Sequence, residues 1–226
     1  MYAIDHVVLA VTDLAEAGER LRRVHGLASV PGGVHPRWGT GNRIVPLGEE
    51  YLELITVMDR GVARANALGR ALLEVTADAS ERWFAVCLSD TDLDATASRL
   101  GLEVKAGART RPDGSELRWR SAGIDDEDRE PWLPFFIEWI VPAELDPTRL
   151  HPAELHPAEL HPGRTPIEHE VEVSGIAGIE IAGEVGRFRE WLGPSGDELP
   201  IRVVDGAPSV RAVEVGVVGG EPIRLV

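Results

Sequence analysis

The sequence predicts an α+β fold built on two copies of a strand–helix–three-strand unit (βαβββ), followed by a degenerate third strand-helix-strand unit. Three observations carry this reading. The stretches "YAIDHVVLAVTDLAEAGERL" (Tyr2 to Leu21) and "WFAVCLSDTDLDATASRLGLEV" (Trp83 to Val104) both run from an apolar strand through a capping aspartate into a helix. Aligned on Asp13-Leu14 and Asp92-Leu93, they bring "EEYLELITV" opposite "PFFIEWIVP" and Glu53 opposite Glu138. The period is too long for a solenoid, so it implies paired modules rather than an array.

The elements follow in order. Ile4 to Val11 is apolar and β-branched, which favours a strand. Asp13 caps a helix in which Leu14, Ala17, Leu21 and Val24 recur at helical spacing up to Gly26. A glycine-rich excursion, "GLASVPGGVHPRWGTGNRIVPLG", ends in a strand at Asn42 to Leu47, and "EEYLELITV" is the next strand. The stretch "MDRGVARANALGRALLEVTADAS" has a helical pattern and connects the units. In the second unit "SELRWRSAG" and "PFFIEWIVP" are strands. Then "HPAEL" occurs in tandem at His151 and His156, and His161-Pro162 begins a third copy. Prolines this frequent prevent a regular helix, so the histidines share no face and a linker duplication is preferred to a metal site. From Val171 to Val226 a strand-helix-strand pattern recurs, with Gly178 in the place of His6. The expected division is 1–60, first module; 61–82, helical connector; 83–142, second module; 143–170, Pro/His-rich linker; 171–226, a degenerate module on the same domain.

Composition narrows the function classes. The chain has 226 residues, 43% of them hydrophobic, which is enough for a real core. Its net charge of −15 argues against nucleic acid and anionic membrane surfaces as partners. Lys105 is the only lysine, which disfavours Schiff-base and P-loop chemistry. A single cysteine, Cys87, permits no intrachain disulfide. No leader-like segment and no apolar run near the roughly 20 residues of a membrane helix is present, so a cytoplasmic location is expected. Neither G-x-S-x-G, nor G-x-G-x-x-G after a strand, nor a Walker A loop occurs, so no nucleotide cofactor is expected.

Strand geometry singles out two carboxylates. In "YLELITV" Glu53 shares a face with Tyr51 and Ile55; in "FFIEWIVP" Glu138 shares one with Phe136 and Ile140. Both faces of both strands are apolar, so each glutamate sits where charge is costly. A metal would resolve that cost, and so would an arginine such as Arg43, Arg118 or Arg120.

The segments "IDHVVLAVTDL", "PGGVHPRWGTGNRIVPLG" and "YLELITV" resemble the glyoxalase-like group of the vicinal oxygen chelate (glyoxalase/bleomycin resistance/dioxygenase) superfamily. The resemblance covers roughly Ile4 to Pro142. It implies paired βαβββ modules curling their sheets into a cup, and a divalent metal (Zn, Ni, Mn, Mg or Fe) held by side chains of the first and last strands. It implies His6, Glu53 and Glu138 as metal ligands, and a small-molecule substrate. His6 equally suits a core histidine bonded to backbone or to Glu53. The position matching His6 in the second unit is Ala85, which ligates nothing and disfavours a two-histidine iron dioxygenase. Cys87, two residues on, is expected as apolar filler.

The "GGVHPRWGTGN" stretch reads as a rim loop whose Trp38, Thr40 and Asn42 grip a ligand, against the alternative of a self-bonded connection. His35 is a candidate general base, because an imidazole of near-neutral pKa suits proton transfer. Glu138 is the second catalytic candidate. Trp119 and Phe136 are candidate ligand-wall residues, against plain core packing. The leading expectation is a metal-dependent lyase or isomerase; a metal-free binding protein using the same cup, or an interaction protein with a filled cup, are the alternatives. A homodimer stays open.

Overall fold

A computed structural model of the chain describes residues 1–112, 114–140 and 161–226. The elements are β1 (Tyr2–Val11), α1 (Leu14–His25), β2 (Val30–His35), β3 (Thr40–Pro46), β4 (Tyr51–Val57), α2 (Arg60–Arg64), α3 (Ala67–Val75), β5 (Glu81–Asp90), α4 (Leu93–Leu100), β6 (Val104–Thr110), β7 (Glu116–Ala122) and β8 (Phe135–Ile140). There follow β9 (Val173–Ala182), α5 (Val185–Leu192), β10 (Ile201–Val204), β11 (Ser209–Val217) and β12 (Ile223–Leu225). The repeat copies at His151 and His156, and the expected end of the second unit at Pro142, lie outside the described residues. Among the described residues no helix is long and apolar enough to cross a membrane.

The helices start and stop as their ends dictate. Asp13 accepts from the backbone N–H of Ala15 and Glu16 at 2.8 and 3.0 Å, satisfying two amides of the first turn of α1. Gly26 closes that helix at φ 72°, a left-handed conformation that glycine adopts without a Cβ clash.

The strands form two sheets. Eight close into a mixed barrel in the order β1-β4-β3-β2-β6-β7-β8-β5, and the remaining four form a sheet in the order β10-β9-β11-β12. In the barrel β1 runs parallel to β4 and antiparallel to β5, and β5 runs parallel to β8. Being covered on both faces, β1 reads as a near-continuous apolar run. Its outward residues Val7, Leu9 and Val11 join Leu52, Leu88, Phe136 and the C-terminal Ile179 and Val213 in one apolar cluster. Its inward Val8 and Ala10 join Ile55, Phe84, Cys87, Trp119, Phe135 and Ile137 in a second, which Leu68 and Leu72 of α3 complete. The connector helix is therefore part of the cup wall.

The register corrects one expectation. Val8 lies beside Glu53, and Cys87 beside Phe135. Since Cys87 stands to Ala85 as Val8 stands to His6, the barrel equivalent of Glu53 is Phe135. Glu138 lies three positions further on, and an odd shift turns a side chain to the opposite face of its sheet. Glu138 does not enter the cup: its Oε2 accepts from Arg120 Nε at 2.7 Å and its side chain is 38% exposed. Phe136 shares that outward parity. It is fully buried between Tyr2 and Trp191, with ring centroids 5.2 and 6.3 Å away, and belongs to the packing between barrel and C-terminal segment rather than to a ligand wall.

Candidate active site

The inward faces of the eight barrel strands enclose one cavity. β1 contributes His6 and Val8; β4 contributes Tyr51, Glu53 and Ile55; β8 contributes Phe135, Ile137 and Trp139; His35, Asn42, Arg109 and Trp119 complete most of the lining. The side chains leave a space of about 50 Å³ between them. That holds a few waters or a very small ligand, well below the volume of a drug-sized pocket.

The polar groups form a continuous chain. A register shift in the β1–β5 pairing between Ile4 and His6 breaks the strict alternation of faces, and Asp5 Oδ1 lies 2.6 Å from His6 Nδ1. Asp5 Oδ2 accepts from Trp139 Nε1 at 2.8 Å and lies 3.1 Å from His161 Nε2. Burial alone would raise the Asp5 carboxyl, but hydrogen bonds from His161 and His6 together hold it well below the usual carboxylate range. Asp5 is thus ionised and can only accept, so Nδ1 of His6 carries the proton it receives. The other ring nitrogen, Nε2, lies 3.6 Å from Glu53 Oε2. Glu53 Oε1 accepts from Asn42 Nδ2 at 2.5 Å, and Asn42 Oδ1 accepts from Arg109 Nη1 at 3.3 Å. The His6 ring stacks on Tyr51 at 4.5 Å and 18°, and burial together with the charges of Asp5 and Glu53 pushes the Tyr51 hydroxyl up, so it stays neutral.

These residues also test the donor set for a divalent cation. Two donors each about 2.1 Å from one ion stand a little over 3 Å apart, close to the His6–Glu53 separation. A carboxylate behind the other ring nitrogen is how metal-binding imidazoles are commonly oriented. Asp5, His6 and Cys87 also bring donor atoms within 4.8 Å of one another. Both Asp5 oxygens already have partners, however, and burial pushes the Cys87 thiol up, keeping it protonated. His6 and Glu53 fit a cation as a two-donor set, with its remaining positions left to water or ligand.

Of the other expected residues, Trp38 and Trp119 line the cavity and stack on each other at 6.0 Å. His35 and Asn42 line it too, but from the β2–β3 hairpin rather than from a rim loop; these two, Trp38 and Thr40 are all buried. His35 Nδ1 pairs with Thr40 Oγ1 at 2.9 Å. Burial lowers its pKa to about 4, with Arg109 adding to the shift and Glu53 opposing it. The expected near-neutral imidazole is therefore a neutral one, a hydrogen-bonding group and a weak base. The sequence reading missed Asp5, Arg109 and His161. Asp5 is hidden by that register shift, and "VKAGART" around Arg109 has no apolar alternation to mark a strand. His161 was absorbed into the repeat, yet it caps the turn Pro162–Arg164 and packs edge-on against Trp139 and Tyr51.

A barrel-like cup of mixed strands with a histidine–glutamate pair inside it defines a class. The Glyoxalase-like domain model matches residues 4–193, and the chain belongs to that family, within the vicinal oxygen chelate superfamily. A hypothetical protein from Staphylococcus aureus has the same fold, with a TM-score of 0.66 and 17% identity over 95% of this chain and 90% of that one. A Streptomyces coelicolor methylmalonyl-CoA epimerase variant in complex with 2-nitronate-propionyl-CoA, and the Mycobacterium tuberculosis methylmalonyl-CoA epimerase, are more distant. Each is 18% identical over 60% of this chain with a TM-score of 0.42, covering 95% and 87% of their own lengths respectively. No curated protein matches the sequence.

Proposed function

We propose that the cup is the active site of a divalent-metal-dependent isomerase- or lyase-type enzyme acting on a small oxygenated molecule. The two βαβββ runs, 1–60 and 83–142, are read as the modules of that cup, with 171–226 packed on the same domain. The observation that carries the reading is the convergence of His6 Nε2 and Glu53 Oε2 on one enclosed space, with Asp5 behind the imidazole. A divalent ion bound there supplies Lewis-acid polarisation of a ligand oxygen. Asp5 fixes the ring and tautomer of His6; Asn42 fixes the Glu53 carboxylate. Neutral His35 hydrogen-bonds a ligand oxygen without adding charge, and the stacked Trp38 and Trp119 give the ligand a flat apolar wall.

Calorimetric titration of chelator-stripped, untagged protein with Mn²⁺ and Zn²⁺ tests this. Glu53→Gln and His6→Ala are each expected to weaken binding at least about tenfold, whereas Glu138→Gln, on the outer face, leaves it unchanged. Equal affinity in wild type and Glu53→Gln overturns the metal centre. Ligand quenching of tryptophan fluorescence in a wild-type protein that binds neither Mn²⁺ nor Zn²⁺ points instead to the metal-free binder.

A further inference from the structure

We propose that Arg109 is an anion anchor in the cup and that the ligand it receives is a small carboxylate. The inference deepens the reading of the cup as a substrate site, on which it rests, but does not require the metal.

Arg109 projects from β6 into the cavity and is only 5% exposed. A guanidinium offers five N–H donors. Here Nη1 reaches Asn42 Oδ1 at a long 3.3 Å, and Nε is buried with no partner. Among the described residues Arg109 makes no ion pair. A buried guanidinium with an unpartnered Nε and no ion pair is costly unless something completes it.

Charge balance with Glu53 does not account for the arrangement. A guanidinium placed to neutralise a carboxylate normally grips it side by side. Instead Asn42 stands between them, donating to Glu53 and accepting from Arg109, so that the two charges are held apart and the planar fork stays available. The backbone is shaped around this arrangement. A Cβ on Gly32 would lie 2.1 Å from Asn42 Oδ1 and 3.0 Å from Arg109 Nη1, so β2 passes there only because the residue is glycine. A second idle donor, Trp38 Nε1, is buried in the same lining.

The ligand follows from these facts. A planar fork of donors matches a planar two-oxygen acceptor. The small space excludes long chains and favours a ligand of a few heavy atoms. The net charge of −15 repels anions from the protein at large, so any anion affinity must come from this local cation. A short 2-oxo or 2-hydroxy carboxylate has its carboxylate for Arg109 and a neighbouring oxygen for the His6–Glu53 end of the cup.

Tryptophan fluorescence reads binding directly, because Trp38 and Trp119 line the cavity. Full-length protein is titrated with pyruvate, with the uncharged analogue hydroxyacetone and with inorganic phosphate, each with chelator and with Mn²⁺. Pyruvate is expected to quench saturably in both conditions, and hydroxyacetone at least about tenfold more weakly. Arg109→Gln is expected to lose about tenfold to a hundredfold in pyruvate affinity, and Arg109→Lys to recover part of it. If Arg109→Gln is unfolded by circular dichroism, Arg109→Lys against wild type carries the comparison, since it keeps the charge and removes the fork. Hydroxyacetone or phosphate binding as tightly as pyruvate, no pyruvate binding, or an unchanged affinity in a folded Arg109 variant overturns the anchor. Loss of Mn²⁺ binding with pyruvate binding intact overturns the metal reading alone.

Discussion

Asp5→Ala is expected to lower the unfolding free energy by about 3–5 kcal/mol, the cost of breaking a buried charged network from one side. The carboxylate is 2% exposed and meets His6, Trp139 and His161. Alanine leaves those three groups without their acceptor, and β1, β8 and the His161 turn lose their common tie. Urea denaturation at neutral pH measures the loss; a change below about 1 kcal/mol would show that water replaces the carboxylate. The same group sets an acid limb. The folded carboxyl titrates below its ordinary value of 3.8, so the unfolded chain binds its proton first as the pH falls. The Asp5 contribution is therefore fully present above that value and is lost as the pH drops through and below it. Asp5→Asn removes this titration, so its urea midpoint falls less steeply than that of wild type over the acid range. Parallel acid limbs in the two proteins would contradict a depressed Asp5.

That network shows where sequence reasoning reaches and where it stops. β1, α1, β5 and α4 are legible because the apolar run, capping aspartate, helical spacing and closing glycine all act within a few residues of one another. His6 and Glu53 are legible because a polar group inside a doubly covered strand is conspicuous. Glu138 looks just as conspicuous, and misleads. Aligning the units on their helix caps does not fix the pairing of β8 with β5, and a three-residue slip is enough to reverse its face. Asp5 fails for the converse reason: alternation places it opposite His6, and the irregularity between Ile4 and His6 undoes that rule. Arg109 and His161 reach the site through contacts spanning 67 and 156 residues, to Asn42 and Asp5 respectively. No local pattern encodes such distances.

Phe136→Ala is expected to cost about 3–5 kcal/mol of stability while leaving metal and pyruvate binding unchanged. The ring is 0% exposed, tilted against Tyr2 and stacked on Trp191. Trp191 is itself fixed by its Nε1 donating to Pro134 O at 2.8 Å, while Arg99 Nη2 bonds its carbonyl, also at 2.8 Å. Removing the phenyl group opens a void where β8, β1 and α5 meet, and rigid neighbours on three sides prevent it from closing. The two faces of β8 thus carry separate duties. Phe135, Ile137 and Trp139 look into the cup, while Phe136 joins the barrel to the C-terminal segment. Because the outer and inner clusters share no side chain, a defect in one should transmit little to the other. Measuring chemical denaturation and both titrations on the same variant separates the two roles. A stable Phe136→Ala protein with weakened pyruvate binding would return this ring to the ligand wall and put the inward–outward assignment of β8 in error.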